Sequence, residues 1–206
     1  MTADPGLPVY RRRIDVTSVQ VDPCHLQVTG HLRDTAPVPE SQGGDGHATF
    51  TVHEMSLSLL IRTSDLVVED ATADMSTFPH AECPLIAPHY AVLRGLSITK
   101  GFSRELNERL GGAAGCSHLK EIARNIAPVV IQSMTISRTP HTRPVGTTHT
   151  DGTPTPTGPA VGSCHVWKEE GVAVRKLRAG WVPGTTERPV PPLSRFTADP
   201  ADAPGA

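Results

Sequence analysis

With 206 residues, the chain has room for one well-packed domain with extensions and is too short for two ordinary ones. Lys plus Arg number 19 against 21 for Asp plus Glu, a net charge of −2, and no basic stripe interleaves with aromatics, which excludes a nucleic-acid partner from the expectation. Aromatics make up only 4 % while Pro (20) and Gly (18) abound, so the core must be aliphatic and much of the chain turns and loops.

Met1 to Val9 is polar, with two prolines and no apolar run, unlike a secretory leader. No stretch approaches the roughly 18 apolar residues that span a bilayer. The expectation is a cytoplasmic protein with no membrane partner, its oligomeric state undefined. In a reducing compartment the four cysteines, Cys24, Cys83, Cys116 and Cys164, read as thiols or ligands and not as disulfides.

In chain order, Arg11–Val21 and Cys24–Leu32 read as paired strands turning at Asp22-Pro23. Leu26, Val28 and Leu32 alternate with polar residues, the period of a half-buried strand. After a Pro/Gly/Ser-rich loop, Phe50–Ile61 is the strongest strand: Met55, Leu57, Leu59 and Ile61 share one face, and His53 falls on the same parity. Phe50 and Val52 have the opposite parity, which predicts a bulge near His53. Thr63-Ser64-Asp65 turns into a fourth strand, Leu66–Ala73.

Helical patterns follow. One begins at Pro84 or Pro88 and stops at Gly95. Phe102, Leu106 and Leu110 recur at i, i+4 and i+8, with Gly111 as the stop. The third starts near Ser117, carries Leu119, Ile122, Ile126 and Val130, and should kink at Pro128. Arg138–Gly162 is Thr/Pro/Gly-rich and reads as a mobile loop. Cys164-His165-Val166-Trp167, followed by Val172, Val174 and Leu177, reads as a terminal hairpin packing back on the domain. The expected fold is α+β: antiparallel strands, three helices and a returning hairpin, forming one domain over 10–182 with a disordered tail over 183–206.

The turn Gly111–Gly115 delivers Cys116 and His118 to the first turn of the third helix, where free backbone N–H groups favour a thiolate. Thiolate and imidazole are preferred ligands of zinc, and of iron in suitable sets. Cys83, Cys164-His165 and His53 are further candidates, although no CxxC or HxxxH spacing joins them. The alternatives are a small core cysteine at Cys83 and a hydrogen-bonded core histidine at His53. Glu121 shares a helix face with His118 and could orient it, or close a capping box. No phosphate loop, dinucleotide fingerprint or serine elbow is present.

Arg12-Arg13-Ile14-Asp15-Val16, Gly30-His31-Leu32-Arg33-Asp34-Thr35, Val52-His53-Glu54-Met55, Tyr90-x2-Leu93-x-Gly95-Leu96 and Gly115-Cys116-Ser117-His118-Leu119-x-Glu121 occur as successive blocks. In these the chain resembles the bacterial family catalogued as domain of unknown function 2889, over about 11–182 without the loop. The resemblance implies that His53, Cys83, Cys116, His118, Cys164 and His165 belong to the family pattern, and it supplies no activity. The layout of strand and helix-start ligands is also similar to that of NifU-type iron–sulfur scaffolds.

Together these features point to an enzyme of small-molecule metabolism, of lyase or hydrolase type. Its divalent metal, zinc or iron, would be held by a mixed set drawn from His53, Cys83, Cys116, His118, Cys164 and His165. Cys116, His118 and Glu121 are the catalytic candidates. Metal-free nucleophilic catalysis by Cys116 with His118, and a non-catalytic module with a structural Cys/His site, are the alternatives.

Overall fold

The computed structural model describes residues 9–44, 47–138, 161–162, 164–181 and 189–197. The chain divides into two units, Met1–Met134 and Thr135–Ala206.

In the first unit, four strands form an antiparallel meander in the order β1-β2-β3-β4: β1 Arg11–Asp22, β2 His25–Pro37, β3 Thr49–Arg62 and β4 Val67–Thr77. The alternation seen in the sequence becomes an inner face. Leu26, Val28, Gly30, Leu32 and Asp34 of β2 are all buried, and so are Met55, Leu57, Leu59 and Ile61 of β3. The β1–β2 turn is pinned by the Asp22 carboxylate, which accepts the Cys24 amide at 2.7 Å. The expected bulge falls at Val52: Asp34 pairs with His53 and Thr35 with Thr51, so the ladder skips one residue of β3. That skip keeps His53 on the inner face and returns Thr51 and Thr49 to the outer one.

A 3-10 segment, Cys83–Leu93, follows the sheet. Pro84 opens it and Pro88 lies inside it. Two prolines within 11 residues remove the amides that a regular α-helix would need, so the expected first helix takes the tighter form. Helix α1 is Phe102–Leu110 and buries Phe102, Leu106 and Leu110. Helix α2 runs Ser117–Arg138 and continues through Pro128. An interior proline costs about 3 kcal/mol. Leu119, Ile122, Ile126 and Val130 are fully buried, and each contributes about 1.5–3 kcal/mol, so packing outweighs the break.

Helix α2 lies across the inner face in the same sense as β1. Ile122 and Ile126 sit over Gly30, and the Ser133 hydroxyl meets that of Ser18 at 2.6 Å. This docking leaves the first turn of α2 above the end of the sheet that holds Arg12, Asp34 and His53.

The second unit corrects the sequence expectation. Its described residues contain no β-hairpin; Val172–Arg178 is helix α3 and Ser194–Thr197 helix α4. Val172 and Val174, read as one face of a strand, separate on the helix: Val174 is buried and Val172 is 44 % exposed. Gly180 in the left-handed region ends the segment, and Arg175, Lys176 and Arg178 sit in the last turn, where cations favour a helix C-terminus. Trp167 donates its amide to the Cys164 carbonyl in a turn, not a strand. The loop expected over 138–162 lies almost wholly outside the described residues, as do 183–188 and 198–206 of the expected tail.

Candidate metal centre

Arg12, Asp34 and His53 form a row across three strands. Arg12 is the direct β1 partner of Asp34, and Asp34 the direct β2 partner of His53. All three project to the inner face because each has the parity of its strand's buried residues. The Asp34 side chain is completely buried. A buried carboxylate without partners would be strongly disfavoured. Here Arg12 forks onto it, Nε donating to Oδ1 and Nη2 to Oδ2, both at 2.8 Å.

His53 brings Nδ1 to 3.1 Å from Asp34 Oδ2, and the Tyr10 hydroxyl lies 3.5 Å from the same nitrogen. His118 enters from α2, with Nε2 at 3.7 Å from Asp34 Oδ2. The two imidazoles lie face to face at a tilt of 33°, with centroids 4.0 Å apart.

Local sequence sets His118 in place. Gly112 takes a φ of +55°, and a Cβ on Gly115 would lie 2.5 Å from the Leu110 carbonyl, so the turn between α1 and α2 requires glycine at both. The carbonyl of Cys116 then accepts the Lys120 amide at 3.0 Å, starting α2, and also the hydroxyl of fully buried Tyr90 at 2.8 Å. Burial and the neighbouring Cys116 push the Tyr90 phenol well above its ordinary range, so it remains a donor. His118 is one helical turn before Ile122, which fixes its height above the sheet.

The electrostatics follow from this packing. Burial pushes the Asp34 carboxyl up, but hydrogen bonds from Arg12 and Tyr10, the Arg12 charge and His53 together hold it down at about 2. The Arg12 guanidinium is stabilised in turn, chiefly by its hydrogen bond to Asp34. His118 is lowered, first by burial and then by the positive charges of His53 and Arg12, against the pull of Asp34. The Tyr10 phenol is raised by burial and by Asp34. The site therefore combines a permanent carboxylate with an imidazole biased toward its neutral form, the state that donates to a metal.

Asp34, His53 and His118 each offer one ligand atom, and these atoms all lie within 4.8 Å of one another. Bonds of about 2.0–2.2 Å to one ion place its ligand atoms roughly 3–4 Å apart. The separations from Asp34 Oδ2, 3.1 Å to His53 and 3.7 Å to His118, fall in that range. This Asp/His/His cluster can chelate a divalent cation.

It corrects the expectation of a mixed Cys/His site, and with it the metal-free Cys116 centre and the structural Cys/His module. No cysteine belongs to the cluster. Cys83, at the start of the 3-10 segment, is half-buried against the apolar core. Cys116 also packs on the core, with Sγ 3.8 Å from His118 Nδ1, the ring nitrogen opposite the one that faces Asp34. It stands behind a candidate ligand and not in its place. Glu121 pairs with Arg124 at 2.6 Å. Cys164 and His165 belong to the second unit and are exposed there. Of the residues singled out in the sequence, His53 and His118 join the cluster, and Cys116 touches it only through His118.

Asp34, Arg12 and Tyr10 were missed. A signal existed for the first two: Asp34 continues the core parity Leu26, Val28, Gly30, Leu32, and Arg12 continues that of Ile14 and Val16. Opposite charges at core parity on neighbouring strands are the trace of a buried pair. The register that joins them to His53 could not be read locally.

Residues 10–132 match the model of a family described as "Protein of unknown function (DUF2889)". No curated protein and no solved structure matches the chain. The matched region includes the whole sheet, Tyr10, Arg12, Asp34, His53 and His118, and stops before Cys164 and His165. It spans more than half of the sequence, so the chain belongs to the DUF2889 family of proteins of unknown function.

Proposed function

We propose that the chain is a divalent-metal-dependent enzyme acting on a small molecule, with Asp34, His53 and His118 as the ligands of zinc or iron(II). The observation that carries this is the convergence of three ligand-type atoms within 4.8 Å around a completely buried carboxylate. Two imidazoles and one carboxylate suit either metal. When bound, such an ion supplies Lewis acidity toward a carbonyl oxygen or a water molecule, the chemistry of a lyase or hydrolase.

The chain's own groups have distinct duties. Arg12 keeps Asp34 anionic and fixed in orientation. His118, biased toward neutrality, presents Nε2 to the site. Tyr10, 45 % exposed and held protonated, stands at the open edge as a proton donor to substrate.

One observation favours a second reading. Each Asp34 oxygen has two lone-pair sites, and Arg12 occupies one on each. With Oδ2 also facing His53 Nδ1, the carboxylate is already well satisfied. This arrangement suits a metal-free pair in which Asp34 orients His53 as a general base.

Metal analysis of protein purified without chelator, followed by calorimetric titration of zinc and iron(II), separates the two. The expected result is a stoichiometric ion, lost in His53→Ala, His118→Ala and Asp34→Asn proteins that remain folded. Failure of the wild-type chain to bind either ion would sink the metal reading and leave the Asp34–His53 pair.

A further inference from the structure

We propose a second binding site, for a phosphate-class oxyanion, on the outer face of the sheet at Arg11, Arg13 and Arg33. Alternation along β1 sends Arg12 inward to Asp34 and its two arginine neighbours outward. Arg13 and Arg33 are direct cross-strand partners, and Arg11 is the partner of Thr35. Like charges placed directly opposite each other on a sheet repel. A counter-charge would relieve that repulsion, and the described residues supply little of it.

Among the described residues Glu54 is the only carboxylate paired with Arg33, at 4.0 Å from Nε, and both side chains are about half exposed. Among the described residues neither Arg11 nor Arg13 has a side-chain hydrogen bond or ion pair. Asp15 is the next residue along the same face but does not line the site. Three guanidinium groups against Glu54 and, further along the face, Asp15 leave a net positive charge, the complement of an oxyanion.

The shape agrees with the charge. Arg11, Arg13, Arg33, Thr35 and Thr49 line a pocket of about 240 Å³. Arg33 is steadied by donating Nη2 to the Thr51 hydroxyl at 3.1 Å. The Val52 bulge matters here too, because it brings Thr49 and Thr51 to the outer face beside the arginines. Guanidinium forks match the paired oxygens of a phosphate group, and the Thr35 and Thr49 hydroxyls supply short donors. The pocket is separated from the Asp34 centre by the sheet itself, so the assignment does not rest on a metal being bound there.

Calorimetry and thermal unfolding of the full chain test this, with inorganic phosphate and glycerol 2-phosphate as probes, succinate as the carboxylate comparison and sodium chloride at matched ionic strength as the baseline. Wild type should bind a phosphate probe and unfold at a higher temperature in it than in chloride. Tighter binding of the ester would identify a phosphomonoester as the ligand, and equal or tighter binding of inorganic phosphate the free anion. Arg13→Ala and Arg33→Ala should each weaken binding by about ten-fold or more, the loss expected from one charge-assisted contact. In chloride both variants should unfold at or above the wild-type temperature, since each relieves the Arg13–Arg33 repulsion. Arg33→Lys should fall between, retaining charge without the fork. Three results would overturn the site: no difference between phosphate and chloride, equal binding of succinate, or phosphate binding that survives the Arg13→Ala/Arg33→Ala double substitution.

Discussion

A Cβ added to Gly30 would lie 2.3 Å from Cγ2 of Ile122, so β2 and α2 meet with no room for a methyl group. Replacing a strand glycine by alanine ordinarily helps by reducing the freedom of the unfolded chain. The contact reverses that sign here. Gly30→Ala should destabilise by about 1–3 kcal/mol in urea unfolding, the range for overpacking a core. It should also weaken metal binding, because lifting Ile122 lifts His118 one turn earlier. Adding Ile122→Ala, which removes that Cγ2, should make the double substitution cost less than the sum of the two single ones, and strictly additive effects would show that the two residues are not coupled.

Arg12 and Asp34 predict an acid transition. With its carboxyl at about 2 in the folded protein, against about 3.9 in an unfolded chain, Asp34 binds fewer protons folded than unfolded. Its contribution is therefore fully present above about pH 4 and is lost as the pH falls toward about 2. Arg12→Gln should remove that advantage and leave the carboxylate buried without its fork, costing roughly 2 kcal/mol or more at neutral pH. Urea midpoints measured from pH 2 to 7 would show both effects; an unchanged midpoint in Arg12→Gln would contradict them.

His118 should titrate below the ordinary histidine range, because burial and then His53 and Arg12 oppose its protonation. The unfolded chain thus takes up this proton at a higher pH than the native protein. The associated stability is present above about pH 6.5, the unfolded value, and is lost as the pH falls through the folded one. Ring resonances followed by NMR should give this order directly. Arg12→Gln should move the His118 titration upward by removing a positive neighbour.

Tyr90→Phe isolates the support under α2. The lost hydrogen bond to the Cys116 carbonyl should cost about 1 kcal/mol. The carbonyl keeps its Lys120 partner, so the protein should fold while the first turn of α2 exchanges its amides faster with solvent. Unchanged exchange at Lys120 would mean that Tyr90 does not anchor the turn.

Cysteine substitutions separate ligands from neighbours. Cys83→Ala should retain metal stoichiometry, since its side chain packs on the core. Cys116→Ser should also retain it and weaken affinity by no more than about ten-fold, the low end of outer-shell effects, because Sγ faces the far nitrogen of His118. Loss of the ion in either variant, with the fold intact, would restore a cysteine to the site.

The C-terminal region shows where local pattern misleads. Val172 and Val174 suggested strand alternation, but the run is short, and Ala173, Val174 and Leu177 describe a helical face equally well. The left-handed Gly180 and the basic last turn decide for the helix. The emphasis on cysteine had a similar cause. The Gly111–Gly115 turn correctly marks the start of α2, yet it says nothing about which of Cys116 and His118 would face the sheet.

By itself, the sequence determined what depends on neighbours a few residues apart: the strand periodicities, the bulge near His53, the i, i+4, i+8 face of α1 and the glycine-led start of α2. Tertiary structure alone decided that Arg12, Asp34 and His53 share one row and that His118 descends upon it. Strand register and helix docking are set by packing summed over distant segments. A slip of one residue in β2 would turn Asp34 from the buried face to solvent. No local pattern holds that register; Leu32 against Met55, and Gly30 against Ile122, do.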